Sequence, residues 1–324
     1  SDKEMWRVDY VDTTRHEEKS LYCDALVVCN GHFNEPVCPE IKGIEHFRGE
    51  LMHSKSYKNP SGFADKTVVV VGAKSSATDI AREIASVARS LHVSNRSYSG
   101  PSFTSNVTGI HHHGGLEGMN ETGVLKFLDG EEVVADCIVH CTGYEYHFPF
   151  LPTDSSPCVS VCSRSVRPLY RHVFHEDDPT LSFIGLPHTI IPFPIFLAQA
   201  RWVAAVYSGA PGSCPLASTQ EMREWREEYE SLLRHPDRLG GPFPSNYHYM
   251  GGYMWEYLRD LARLTHRDAD ENVPLQRNIR LLQEIYTDVG TRRPREVGAS
   301  DAYRRNQYTV DRETGKWTVH VPEC

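Results

Sequence analysis

Two patterns of apolar residues recur along the chain. In the first, a short unbroken apolar run stops at a glycine turn: "DALVVCNG", "KTVVVVG" and "DCIVHCTG". Such runs suit strands covered on both faces of an α/β sheet, and they predict strands over 25–29, 67–71 and 137–141 that end at Gly31, Gly72 and Gly143. The second pattern follows the middle run. Ala77, Ile80, Ala81, Ile84, Ala85 and Ala88 share one helical face, which predicts a helix over 76–90 and a further strand over 91–94. Strand, glycine turn, helix and strand make a βαβ unit, and the alanines let the helix approach the sheet closely.

The flanking sequence is less regular. The first residues alternate as a hairpin feeding the strand at 25–29, and Asp129-Gly130 marks a second hairpin turn. Beyond residue 150 come short elements and prolines, then an amphipathic helix in "IFLAQARWVAAVYSG". Helical patterns follow over 219–234, 253–264 and 274–287, and the last 30 residues read as a polar return strand or tail.

Composition narrows the partners. A net charge of -9 over 324 residues gives no footprint for nucleic acid or an anionic membrane surface. The most apolar stretch is interrupted by Pro192, Pro194 and Arg201, so no transmembrane segment is predicted. Nine cysteines without a CxxC pair, Cys29 and Cys137 among them in apolar runs, read as buried reduced thiols and a cytoplasmic setting. The run His111–His113 reads as a solvated loop rather than a metal site, and no metal is assigned. The first residue is Ser1 rather than Met.

The βαβ unit carries the clearest chemistry. A helix N-terminus offers unpaired N–H groups and a partial positive charge, which suits a dinucleotide pyrophosphate. The turn "GAKSSA" places Gly72 first and Ala77 last in a GxGxxA pattern, with Lys74 at the middle glycine position and Ser75 and Ser76 as further donors. The next strand, "LHVSNRS", has no acidic residue to pair with a ribose 2′-hydroxyl and instead supplies Arg96. A cation there suits a 2′-phosphate, so NADP is expected rather than NAD.

The segment "FRGELMHSKSYK" matches the FxGxxxHxxxY pattern of flavin-containing monooxygenases at Phe47, Gly49, His53 and Tyr57. "VVVVGAKSSATDIA", "DALVVCNGHFNEPVCPEIKGIEHF", "DCIVHCTGY" and "PIFLAQARW" also resemble stretches of that family, in the same order. The resemblance implies an α/β protein in which a Rossmann-like NADP-binding domain is inserted in an incomplete FAD-binding domain, with C-terminal helices. Its parts would be a remnant of the FAD domain at 1–61, an NADP domain at 62–142, and the return to the FAD domain with a helical region and tail at 143–324. The family's first GxGxxG lies well ahead of the motif, and nothing before Phe47 resembles it, so the chain is expected to begin inside the FAD domain.

The implied cofactors are FAD and NADPH, and the implied reaction uses O₂ to oxygenate a small amine nitrogen or sulfide sulfur. Gly72, Ser75, Ser76, Ala77 and Arg96 would hold NADPH, with the Lys74 ammonium offered to a phosphate. Asn30-Gly31 and Thr142-Gly143 would lie against the cofactors, and Gln199 near the flavin. Phe47, Gly49, His53 and Tyr57 read as a structural connector, and no proton-transfer residue is assigned. The alternatives are an NADP-binding module without turnover and a Baeyer–Villiger or N-hydroxylating relative. A disulfide reductase would need a redox cysteine pair that the sequence lacks. A homo-oligomer is left open.

Overall fold

The computed structural model describes residues 5–152, 157–162, 164–209, 211–235, 241, 243–265, 269–293, 302–311, 314 and 316–321. The chain divides into two compact units, residues 35–144 with 285–324 and residues 1–34 with 145–284. The architecture is mixed α/β with a parallel sheet and C-terminal helices, as the sequence predicts.

The unit built on residues 35–144 holds a six-stranded sheet. Its strands run in the order Glu50–His53, Cys137–His140, Thr67–Val71, Ser90–Ser94, His111–His113 and Phe103–Thr104, all parallel except the last pair. Val68, Val69 and Val70 are fully buried between layers, which explains the unbroken apolar run. Helix α1, Ser75–Ala85, covers one face through Ala77, Ile80, Ala81 and Ile84. A smaller three-stranded sheet lies beneath the other face, where Leu125 and Phe127 pack on Val69 and Ile138.

Helix α1 stops at Ala85, five residues short of the predicted end. The Ser86 hydroxyl donates to Glu83 O at 2.6 Å and tightens the last turn, and the Arg89 amide leaves the helix direction to donate to Lys66 O. Ala88 still packs on the helix's apolar cluster from beyond its end. The His111–His113 run also departs from expectation. It is a sheet strand with His112 and His113 buried, not a solvated loop, because its backbone pairs with Ser90–Ser94 on one side and Phe103–Thr104 on the other.

The second unit carries a four-stranded sheet in the order Leu169–Tyr170, Phe174–His175, Leu181–Phe183 and Leu26–Val28, the last pair parallel. Leu26–Val28 is an edge strand, so Val28 alone is buried while Val27 and Cys29 are exposed. The predicted buried strand over 25–29, with a buried Cys29 thiol, is therefore corrected; Cys137 is buried as predicted. The N-terminal hairpin pairs Trp6–Asp12 with Glu17–Cys23.

Helices α2, Pro192–Ser208, α3, Thr219–Leu233, and α4, Met254–Thr265, share a core with Phe174 through Trp202, Met222, Trp255 and Leu261. Proline at the first helical position costs α2 no hydrogen bond, so the helix begins at Pro192, ahead of the predicted stretch. A capping box closes α3, with Ser218 and Glu221 each bonding the other's backbone N–H. Helix α5, Ala269–Arg292, is longer than the predicted 274–287 and contains Pro274. Within the last 30 residues, Gln307–Val310 pairs with Trp317–His320 as a hairpin; residues 294–301, 312, 313, 315 and 322–324 lie outside the described residues.

Candidate functional site

Three strand ends of the six-stranded sheet bring most of the predicted residues to one edge. The parallel register aligns Val71 with Ser94 and with His140, so Gly72, Arg96 and Thr142-Gly143 all follow at the carboxyl edge. Gly72 adopts φ 117°, and a Cβ there would lie 2.5 Å from Cys141 O. Its amide donates to Ser94 O at 2.9 Å, which seats the turn between neighbouring strands.

After this turn Lys74 is the N-cap of α1 in extended conformation, and its side chain makes no capping bond. Lys74, Ser75 and Ser76 are exposed, so the helix's first turn faces solvent while Ala77 packs inward. Arg96 is exposed beyond the adjoining strand. Further along α1, Asp79 pairs with Arg304 at 2.7 Å, which brings the C-terminal segment onto this helix.

The four-point motif is explained residue by residue within this unit. A Cβ at Gly49 would collide with the Asp136 carbonyl and come within 2.5 Å of Phe47 Cζ, so glycine there permits the close approach of two backbones. Phe47 packs against the cluster around Val69 and Ile138. The His53 Nδ1 accepts from the Lys55 amide at 3.1 Å, which leaves the proton on Nε2 to donate to Gly143 O at 3.1 Å. Burial pushes the His53 imidazole below its usual titration range. Tyr57 donates to Glu83 on α1 at 2.8 Å. The motif thus binds the connector to α1 and to the Thr142-Gly143 turn.

Thr142 Oγ1 donates to Val37 O, and Gly143, at φ 85°, accepts from the Val37 amide as well as from His53. This turn is held from two sides.

The other unit places Asn30-Gly31 just beyond Leu26–Val28 and Gly185 just beyond the parallel strand Leu181–Phe183. Gly31, at φ 75°, has nothing within 4 Å of a would-be Cβ. Cys29, Gly31, His32, Phe33, Ile184, Gly185 and Phe196 line a pocket of about 250 Å³. Gln199 is fully buried behind it: its Oε1 accepts from the Gly185 amide at 3.0 Å and its Nε2 donates to Tyr257 at 2.9 Å. Both ends of the Gln199 amide are therefore spent on the protein, and it bears on the pocket through Gly185.

Sequence reasoning missed His32, Gly185 and Asp136. His32 Nδ1 lies 2.7 Å from Gly185 O, so that glycine is gripped at both its amide and its carbonyl. Gly185 shares the signal used elsewhere, a glycine directly after an apolar strand, in "LSFIG". Asp136 accepts from the Thr67 amide at 2.8 Å and from Arg89 at 2.9 Å, a role for which a lone aspartate in "VADCIV" gives no sign.

Comparison with known proteins gives the family. Residues 2–106 and 106–238 match the flavin-binding monooxygenase-like family, more than half of the chain. The chain belongs to that family. Among curated members, it is 40% identical over 262 residues to flavin-containing monooxygenase FMO GS-OX-like 3 of Arabidopsis thaliana, covering 79% of this chain and 56% of that protein. FMO GS-OX5 of the same plant is 40% identical over 248 residues, covering 73% of this chain and 52% of its own length. The chain thus spans about half the length of these relatives.

Among solved structures, S-allyl-L-cysteine S-oxygenase from Allium sativum superposes with a TM-score of 0.76 at 33% identity, covering 91% of this chain and 65% of that one. Tmm from a Pelagibacter strain gives a TM-score of 0.74 at 24% identity over 98% of this chain and 66% of its own, a likeness of fold. The two strand-end regions of this flavin-binding monooxygenase-like chain are accordingly its candidate cofactor surfaces. Among the described residues no helix is long and apolar enough to cross a membrane.

Proposed function

We propose that the chain belongs to an NADPH-dependent flavin monooxygenase that uses O₂ to oxygenate a soft nucleophile, a sulfide sulfur or an amine nitrogen. The observation that carries the reading is the exposed first turn of α1, without a side-chain cap, on the same sheet edge as Arg96 in a member of a flavin-binding family. Sulfide is placed first because the solved S-allyl-L-cysteine S-oxygenase is 33% identical.

The residues fit the two cofactors. The backbone N–H groups of Ser75, Ser76 and Ala77 would receive the NADPH pyrophosphate, with Lys74 beside them and Arg96 on the 2′-phosphate. Gly31 has the space and the left-handed backbone for close approach to FAD, beside the pocket that Gly185 frames. When bound, NADPH and FAD supply the reducing and oxygen-activating chemistry. This chain's residues supply position. Gln199 and His32 hold the Gly185 backbone, His53 holds the Gly143 carbonyl, and Phe33, Ile184 and Phe196 give the pocket an apolar wall.

The test is spectroscopic and calorimetric. Purified protein supplied with FAD should show the flavin's visible absorption band and should bind NADPH by calorimetry. NADPH binding with no flavin band would favour an NADP-binding module, and binding of neither would refute the proposal.

A further inference from the structure

We propose that His113, held between the Asp129 carboxylate and the hydrogen-bonded His92–Ser90 pair, is a positioning residue that sets the 2′-phosphate preference of the nucleotide surface through Arg96. The inference rests on the NADP reading given above.

Four side chains, two of them from the strand Ser90–Ser94, form one line. Asp129 Oδ2 lies 3.3 Å from His113 Nδ1, His113 Nε2 lies 3.0 Å from His92 Nδ1, and His92 Nε2 lies 2.7 Å from Ser90 Oγ. His92, His113 and the Asp129 side chain are all more than nine-tenths buried. Asp129 already accepts from the amides of Gly114 and Glu131, so its carboxylate orients as an acceptor throughout.

The charge of that carboxylate, 3.3 Å from the ring, favours one order of protons along the line. Facing the carboxylate, His113 carries its hydrogen on Nδ1 and leaves Nε2 bare. Facing that nitrogen, His92 must carry its hydrogen on Nδ1 and leave its own Nε2 to accept from the Ser90 hydroxyl. Ring stacking locks the plane of each imidazole, with Phe127 4.0 Å from His113 and His111 4.6 Å from His92.

The fixed residue carries the turn that bears Arg96. The His113 carbonyl accepts from the Asn95 amide at 3.1 Å, and Asn95 in turn bonds the amides of Ser97 and Tyr98, enclosing Arg96 in the turn. Next along the chain, Gly114 donates its amide to Asp129 and accepts from Ser94, while Leu128 donates to Gly115 O. The Gly115 backbone passes so close to Arg96 that a Cβ on it would lie 3.6 Å from Arg96 Cα. A side chain at 113 that no longer fits between Asp129 and His92 would displace this strand end, and with it the backbone that carries Arg96. The sequence shows only three adjacent histidines and gives no sign of this arrangement.

The experiment measures affinities for NADP⁺ and NAD⁺ by calorimetry in wild type, His113→Leu, Arg96→Ala and the double variant. His113→Leu should lower the NADP⁺ to NAD⁺ affinity ratio about tenfold, and Arg96→Ala should then add little, because both act on one contact. If His113→Leu fails to fold, Asp129→Asn takes its place with the same expected loss. A purely structural role would weaken both nucleotides equally and leave the two substitutions additive, and that result overturns the inference. Nitrogen-15 NMR of the free protein should find both His92 and His113 protonated on Nδ1; the opposite tautomer on either also overturns it. A wild type that does not prefer NADP⁺ refutes the NADP reading itself, and the inference falls with it. A preference that survives His113→Leu refutes the inference alone.

Discussion

In the proposed function, Arg96 is the residue on which cofactor choice turns. It stands exposed two positions beyond a buried strand, where the sequence offers no carboxylate that would hold a ribose 2′-hydroxyl. Arg96→Ala should weaken NADPH binding by about 1–3 kcal/mol, the cost of one charge-assisted contact, while leaving NADH binding nearly unchanged in the same calorimetric titration. An equal loss for both would assign the arginine a general electrostatic effect. Gln199 makes the opposite case. The family resemblance implies a place near the flavin, and the structure shows its side-chain amide bonded to Gly185 and to Tyr257. Residue type and spacing located these positions. They carried no information on which partner each side chain meets across long stretches of chain, as with Tyr57 and Glu83 or Asp136 and Thr67.

At the scale of elements, the strand, turn and helix around Gly72 were legible because several signals coincide: an apolar run for a doubly covered strand, a glycine, and an apolar helical face. The helix end was not. It depends on a serine bonding backward and on the Lys66 carbonyl just ahead of a strand, which periodicity does not encode. The edge position of Leu26–Val28 was likewise hidden, since an apolar run reads alike in a central and an edge strand. Gly72→Ala combines a left-handed backbone with a contact of 2.5 Å to Cys141 O, and should cost about 2 kcal/mol or more in urea unfolding. A cost near zero would mean that the turn relaxes freely and that the glycine is not required for the fold.

For the molecule as a whole, acid stability has a definite sign. His172 and His248 are fully buried with their Nδ1 atoms 3.0 Å apart, and burial pushes His172 down to about 3, with Arg171 and His188 adding to the effect. His248 is displaced in the same direction by burial and then by His172. Both are neutral in the fold, whereas an unfolded histidine titrates near 6.5. Their contribution is complete above about pH 6.5 and is lost progressively as the pH falls toward 3, because the unfolded chain takes up protons first. The urea midpoint should therefore fall steadily over that interval, and a midpoint independent of pH would contradict the buried pair. Turnover is tested by NADPH oxidation in the FAD-supplied protein with and without a small thioether. Under the proposed function, oxidation should rise with the thioether, yield the sulfoxide in step with NADPH consumed, and fall sharply when NADH replaces NADPH. NADPH consumption that is indifferent to the thioether and forms no sulfoxide would contradict it.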